Sequence, residues 1–225
     1  MPAVETVGAV VETLNLTLEL FKVIRAGIFQ PWSKDNFKIL SSLTTLEFKY
    51  EDGKQIAHFV QDRRVLFTKK GGQLPPFNYA TDGEDAIEEL LIDDMPQPFK
   101  ITESAGNPAT ILPSNPLTYE KNDLKNMTLI ARSVDGFTKE QETYRLRVVR
   151  WIGRSQIAVI FPKDKKPVGY DAYYEQKQGS SVVMRHLKYK TWSLRKTTFD
   201  KWVLYLELNN ISVEKTYVLE WTWPS

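Results

Sequence analysis

Cysteine is absent from the 225 residues. That excludes disulfides, thiolate zinc sites and thiol nucleophiles, and it fits a reducing compartment or a simple avoidance of thiols. Histidine is scarce: His58 and His186 are the two present. Neither has a partner histidine at ligand spacing, which excludes the usual multi-histidine metal site. A Ser-His-Asp arrangement would need one of them, and no Gly-x-Ser-x-Gly turn presents a serine. No glycine-rich phosphate loop follows a strand either. Lys69-Lys70-Gly71-Gly72-Gln73 lacks the Gly-Lys-Ser/Thr ending. The acidic run from 82 to 94 has no loop of alternate oxygens around a central glycine, as a calcium site requires. The expectation is a chain without enzymatic activity, without a metal and without a cofactor.

A long uninterrupted apolar run is missing as well. The start, Met1-Pro2-Ala3-Val4-Glu5, has no basic region of the secretory kind, and Glu5, Glu12 and Glu19 interrupt any apolar core. Between Val4 and Ile28 lie Glu5, Glu12, Glu19, Lys22 and Arg25. Each charge costs roughly 2.5–3.5 kcal/mol at mid-bilayer on insertion scales. A cytoplasmic protein is the default reading.

What is present begins with a period of seven. Val4-Glu5-Thr6-Val7, Val11-Glu12-Thr13-Leu14 and Leu18-Glu19-Leu20-Phe21 repeat at that spacing. Val4, Val7, Val11, Leu14, Leu18 and Phe21 then share one stripe of an α-helix, and the three glutamates share another. The helix is predicted from about Ala3 to Gly27, with Gly27 as a C-terminal cap and Pro31 barring continuation. Residues 1–30 therefore read as an N-terminal amphipathic helix that docks, oligomerises or inserts. Its apolar stripe is the candidate partner or oligomer interface.

Residues 40–225 read as a mainly antiparallel β-sandwich. Leu43 to Tyr50 and Gln55 to Thr68 alternate on either side of Glu51-Asp52-Gly53-Lys54, and Asp-Gly between alternating runs predicts a hairpin. Short strands are expected at 99–103 and 109–112, between prolines. Further alternating runs hold Met127, Leu129 and Ala131; Tyr144, Leu146 and Val148; Ile157, Val159 and Phe161; Val183, Leu187 and Tyr189; Trp202, Leu204, Leu206 and Leu208; and Tyr217, Leu219, Trp221 and Trp223. One segment reads differently. From Asp82 to Asp94 there are seven acids and no base, and Ile87, Leu90 and Leu91 keep helical spacing. A short acidic surface helix is predicted there, a strand through Ile87 to Ile92 being the competing reading. Glu84, Asp85, Glu88 and Glu89 form its acidic surface.

The net charge of +2 hides an asymmetry. Residues 1–144 carry 15 Lys and Arg against 21 Asp and Glu, and residues 145–225 carry 15 against 7. Arg145 and Arg147 alternate with Tyr144, Leu146 and Val148, while His186, Lys188 and Lys190 alternate with Leu187 and Tyr189. Strand geometry sends each basic set to one face and the apolar set to the other. Arg145, Arg147, Arg150, Arg185, Lys188, Lys190, Arg195 and Lys196 form a candidate basic patch if their strands are neighbours, able to meet phosphates or anionic headgroups. The bland reading is a solvated face that discourages edge pairing.

Three stretches resemble a diffuse group of uncharacterised bacterial β-sandwich domains. They are Asp135-Gly136-Phe137-Thr138 with Glu142, then Phe161-Pro162-Lys163-Asp164-Lys165-Lys166-Pro167, then Tyr217-Val218-Leu219-Glu220-Trp221-Thr222-Trp223. The group ends in a Tyr-x-Leu-x-Trp-x-Trp strand, and the resemblance implies a sandwich used as an accessory or interaction module, with no active site. Val7-Gly8-Ala9-Val10-Val11, followed by Leu16 to Ile24, is similar to the N-terminal helix of actinoporins, which implies a pore-forming alternative. Three roles follow as expectations: a protein partner or self-association through the N-terminal helix; a membrane-active effector whose helix inserts; and an anion or nucleic-acid binder using basic strands within 145–196.

Overall fold

Two residues between two alternating runs leave a chain one way to fold back. In the computed structural model, Asp52 and Gly53 carry φ of 51° and 78°, the paired left-handed conformation of a type I′ turn, whose twist matches that of flanking strands. Residues 36–224 are described, apart from 82, 105, 106, 116, 179, 180, 189, 190 and 212. The heptad residues Val4, Val7, Val11, Leu14, Leu18 and Phe21, and Lys190, lie outside the described residues.

Fifteen strands run through the described residues. They are β1 (Phe37–Glu51), β2 (Lys54–Phe67), β3 (Phe77–Tyr79), β4 (Glu84–Ile92), β5 (Met95–Pro96), β6 (Phe99–Ser104), β7 (Asn107–Pro113) and β8 (Leu124–Val134), followed by β9 (Gln141–Arg147), β10 (Ile152–Phe161), β11 (Gly169–Gln178), β12 (Ser181–His186), β13 (Trp192–Lys196), β14 (Trp202–Ile211) and β15 (Lys215–Thr222). They form an eight-stranded sheet in the order β13-β14-β10-β1-β2-β8-β4-β5, a four-stranded sheet β12-β11-β15-β9, and a three-stranded sheet β3-β7-β6. Pairing is antiparallel except between β1 and β10, which run parallel. The mainly β, mainly antiparallel reading holds.

Alternation decides which side chains go inside. On the large sheet, Leu204, Val159, Leu46, Phe59 and Ala131 stand in one cross-strand row, and all are buried. Phe48 stands one row further on. On the small sheet, Tyr217, Leu219 and Trp221 turn the same way as Leu146 and Tyr144. The two faces meet around Phe48, whose ring centroid lies 5.6 Å from Phe137, 6.0 Å from Phe161, 5.8 Å from Trp221 and 5.0 Å from Trp223. The three stretches singled out in the sequence thus supply the four aromatic residues that surround Phe48. Fully burying each such side chain contributes about 1.5–3 kcal/mol.

The acidic helix predicted for 82–94 is corrected: the segment is strand β4, paired with β8. Its register shifts between Ile87 and Glu89, so Ile87 faces Ala131 while Glu89 faces the adjacent Ile130. Glu88 is the extra residue of a β-bulge. The bulge resets the alternation, and Ile87, Leu90 and Ile92 all point at the core. A spacing of three produced by a bulge imitates a helical one.

Candidate interaction surfaces

Glu84, Asp85, Glu88 and Glu89 are exposed on β4. β4 lies one strand from the margin of the large sheet, where two-residue β5 is the last member. Asp85 receives hydrogen bonds from the backbone N–H and the hydroxyl of Thr81. Among the described residues, no ion pair reaches any of these four carboxylates. In the same segment Asp93 is the paired acid. It accepts from Lys125 Nζ at 2.7 Å and from the Asn126 N–H at 3.0 Å. Burial pushes its pKa up, but those two hydrogen bonds and the ammonium charge outweigh it and hold the carboxyl below the usual range.

The basic residues do not assemble into one patch. β9 and β12 occupy opposite edges of the small sheet, separated by β15 and β11. Strands lie about 4.8 Å apart, so the two edges are roughly 14 Å from each other. Arg195 and Lys196 sit on β13, at the edge of the other sheet. There Arg195 Nε donates to Ser193 Oγ and Lys196 pairs with Asp200 at 2.9 Å. Arg150 is half-buried over the ring of Phe37, 5.2 Å from its centroid. Arg147, Arg185 and Lys188 are exposed.

Cross-strand registry shows what lies between the two edges. Arg145, Val218, Tyr173 and His186 form one row, on the face of the small sheet turned away from Trp221. Acids from the central strands meet the basic edges: Arg145 pairs with Glu175, His186 Nδ1 lies 2.8 Å from Asp171, and Tyr173 Oη donates to Glu220 at 3.4 Å. These polar pairs flank the buried Val218 and Tyr173 at the middle of the row. Strand alternation itself holds as expected, with Arg145 and Arg147 exposed and Leu146 buried.

Two constellations escape a sequence reading. The first is an interior polar row. Ser155, Ser42 and Arg63 stand side by side across β10, β1 and β2, with Thr44 and Gln61 in the next row. Arg63 Nη1 donates to the Pro76 carbonyl at 2.7 Å, Nη2 donates to Gln61 Oε1 at 3.0 Å, and the guanidinium lies 4.3 Å above the Phe77 ring. Gln61 Nε2 in turn donates to Thr44 Oγ1. Burial pushes the Arg63 pKa down to about 10, with the Arg150 charge adding to the shift and Tyr144 opposing it. The second is a groove of about 500 Å³ beside the β1–β2 turn, lined by residues that include Tyr50, Gln55, Asp135, Lys165 and Trp223. Its wall is strained. Asp135 and Phe137 have φ of 55° and 60°, and Gln55 Nε2 holds that loop by donating to the carbonyls of Gly136 and Phe137. The Asp-Gly-Phe stretch is the local signal for that turn; the rest of each constellation comes together only in space.

Among the described residues, no three His, Asp or Glu side chains gather where they could hold a metal ion. No helix there is long and apolar enough to cross a membrane.

No family model matches the chain, and no curated protein matches it by sequence. Solved structures align with it at a low level of similarity. An M1 zinc metallopeptidase from Deinococcus radiodurans aligns over 85% of this chain and 44% of its own, at 6% identity and a TM-score of 0.45. A suspected protease from Parabacteroides distasonis aligns over 84% of this chain and 41% of its own, at 10% identity and a TM-score of 0.48. The chain spans less than half the length of either, and a likeness of that degree assigns neither a family nor an activity.

Proposed function

We propose that the chain is a non-enzymatic, cytoplasmic bacterial module, accessory to or associated with an effector. It binds a protein partner or further copies of itself, through the N-terminal helix of residues 1–30 and through strand β4. The observation that carries this reading is the row of exposed carboxylates on β4, which no basic group among the described residues neutralises. Charge left unmatched near a sheet margin steers a partner of opposite sign and sets its register. The apolar stripe of Val4, Val7, Val11, Leu14, Leu18 and Phe21 supplies a surface of the kind that buries against another helix.

Sedimentation of the full chain tests both surfaces. The parent is expected to exceed the monomer mass of 26.0 kDa, and Leu14→Asp is expected to return it to that mass. The fourfold variant Glu84→Gln, Asp85→Asn, Glu88→Gln, Glu89→Gln is expected to lose the salt-sensitive part of association, since exposed charges are screened within ~10 Å at 0.1 M. A parent that is monomeric at every concentration removes self-association. A fourfold variant that associates like the parent removes β4 as the surface.

A further inference from the structure

Each sheet margin is a row of unpaired backbone donors and acceptors, and proteins blunt such margins with charge, proline, bulges or shortness. Most margins here are blunted. β5 has two residues, one of them Pro96, and β3 has three. β6 is broken by a register shift between Thr102 and Ser104. β13 carries Arg195 and Lys196, and β9 carries Glu142, Arg145 and Arg147. β12 is the least blunted, with Arg185 and His186 confined to its end. It pairs with β11 without a bulge, contains no proline, and centres on Val182-Val183-Met184. Val182 is 60% exposed and Met184 53%. Among the described residues, nothing pairs with its other side.

The hydrogen-bond phase shows which groups are open. The Leu187 N–H donates to the Ala172 carbonyl, its partner in register. In an antiparallel ladder such pairs alternate with pairs that are not bonded. Arg185, Val183 and Ser181 therefore spend their backbone groups on β11, and Val182, Met184 and His186 point theirs outward.

We infer that β12 is a pairing edge for β12 of a second copy, antiparallel about a two-fold axis through Val183, so that two four-stranded sheets join into one of eight. This deepens the self-association named above and rests on it. The occupant follows from self-complementarity. With the axis at Val183, Val183 faces its own copy, Val182 faces Met184 on both sides, and Arg185 faces Ser181. Outward backbone groups meet outward backbone groups, and no like charges are opposed. An axis through Met184 sets Val183 against Arg185 and Val182 against His186. An axis through Arg185 sets two guanidiniums against each other, which is destabilising. A symmetric contact of this kind closes on itself as a dimer and does not propagate.

The absence of cysteine gives a clean test. Two residues facing each other in an unbonded antiparallel pair have Cα atoms about 4.5 Å apart, within disulfide range. Under mild oxidation the full-length Val183→Cys chain is expected to cross-link into dimers, and the Met184→Cys chain, whose partner in this register is Val182, is not. A third variant, Val182→Lys with Met184→Lys, is expected to weaken association at least about tenfold by placing ammonium groups opposite each other. Circular dichroism on all three variant chains checks that they fold. Absence of cross-linking at Val183, or cross-linking through Met184→Cys alone, overturns the inference. So does a double-lysine chain that associates like the parent. If in that case Leu14→Asp still dissociates the parent, the proposed function stands and only the β12 edge fails. A parent that is monomeric throughout ends self-association itself.

Discussion

Trp221 is fully buried, and Phe48, Phe137 and Phe161 hold their ring centroids 5.8, 6.0 and 5.9 Å from it. Its indole N–H has no hydrogen-bond partner. Trp221→Ala opens a cavity and is expected to cost about 3–5 kcal/mol in urea unfolding. Trp221→Phe is expected to cost clearly less, because it keeps most of the ring contact and removes a donor that was already unsatisfied. Equal losses in the two variants would show that the indole N–H matters. Asp93 makes a second, pH-dependent case at this scale. Its folded pKa lies below the ordinary 3.8, so its contribution is present above that ordinary value and is lost as pH falls through the lower folded one. Asp93→Asn is therefore expected to lower the urea midpoint above pH 5 and to converge with the parent near pH 2. Parallel midpoint curves from pH 2 to 6 would contradict this. The burial of Trp221 is legible in the alternation of the last strand. The Asp93–Lys125 pair is not, since its two members meet across 32 residues of chain.

At the scale of elements, β4 separates two readings of the same letters. Deleting one residue of the Glu88-Glu89 pair removes the bulge and leaves Ile87, Leu90 and Ile92 in unbroken alternation toward the core. Such a deletion is expected to be tolerated to within about 1 kcal/mol, in the range of ordinary surface changes. In a helix it would rotate Leu90 and Ile92 by 100° and expose them. Deleting Leu91 instead turns Ile92, only 6% exposed, to the outer face, and is expected to be strongly destabilising. Equal unfolding midpoints for the two deletions would contradict the bulge. The β1–β2 hairpin was readable because a type I′ turn demands residues that tolerate positive φ, and Asp-Gly supplies them. β4 was misread because its phase shift depends on pairing with β8, which begins 32 residues beyond the last residue of β4. β12 was readable as a strand whose Val183 and Leu187 turn one way, and both are half-buried, with Val182 and Met184 on the other face. Its place at the edge of a sheet was not readable, because it depends on which strands pair.

At the scale of the molecule, the charge asymmetry of the sequence is real but is divided in space. Basic groups lie on three separate sheet edges, and several are met by Glu175, Asp171 or Asp200. The parent chain is accordingly expected to bind duplex DNA no more tightly than ordinary non-specific association, with Kd of about 10⁻⁴–10⁻⁶ M at physiological salt. Anisotropy titration showing nanomolar binding would reverse that. By itself the sequence determined the mainly β character of the chain beyond residue 40 apart from the β4 segment, the Asp-Gly hairpin, the aromatic side chains of the core and the acidic run, because alternation and turn chemistry are local and set by neighbouring residues. Only the tertiary structure decided which strands are neighbours. It separated β9 from β12, inserted a bulge in β4, set Arg63 in one row with two serines and left β12 at an edge. Each of those depends on pairings between segments distant in sequence, where the free energy lies in contacts that no local pattern encodes.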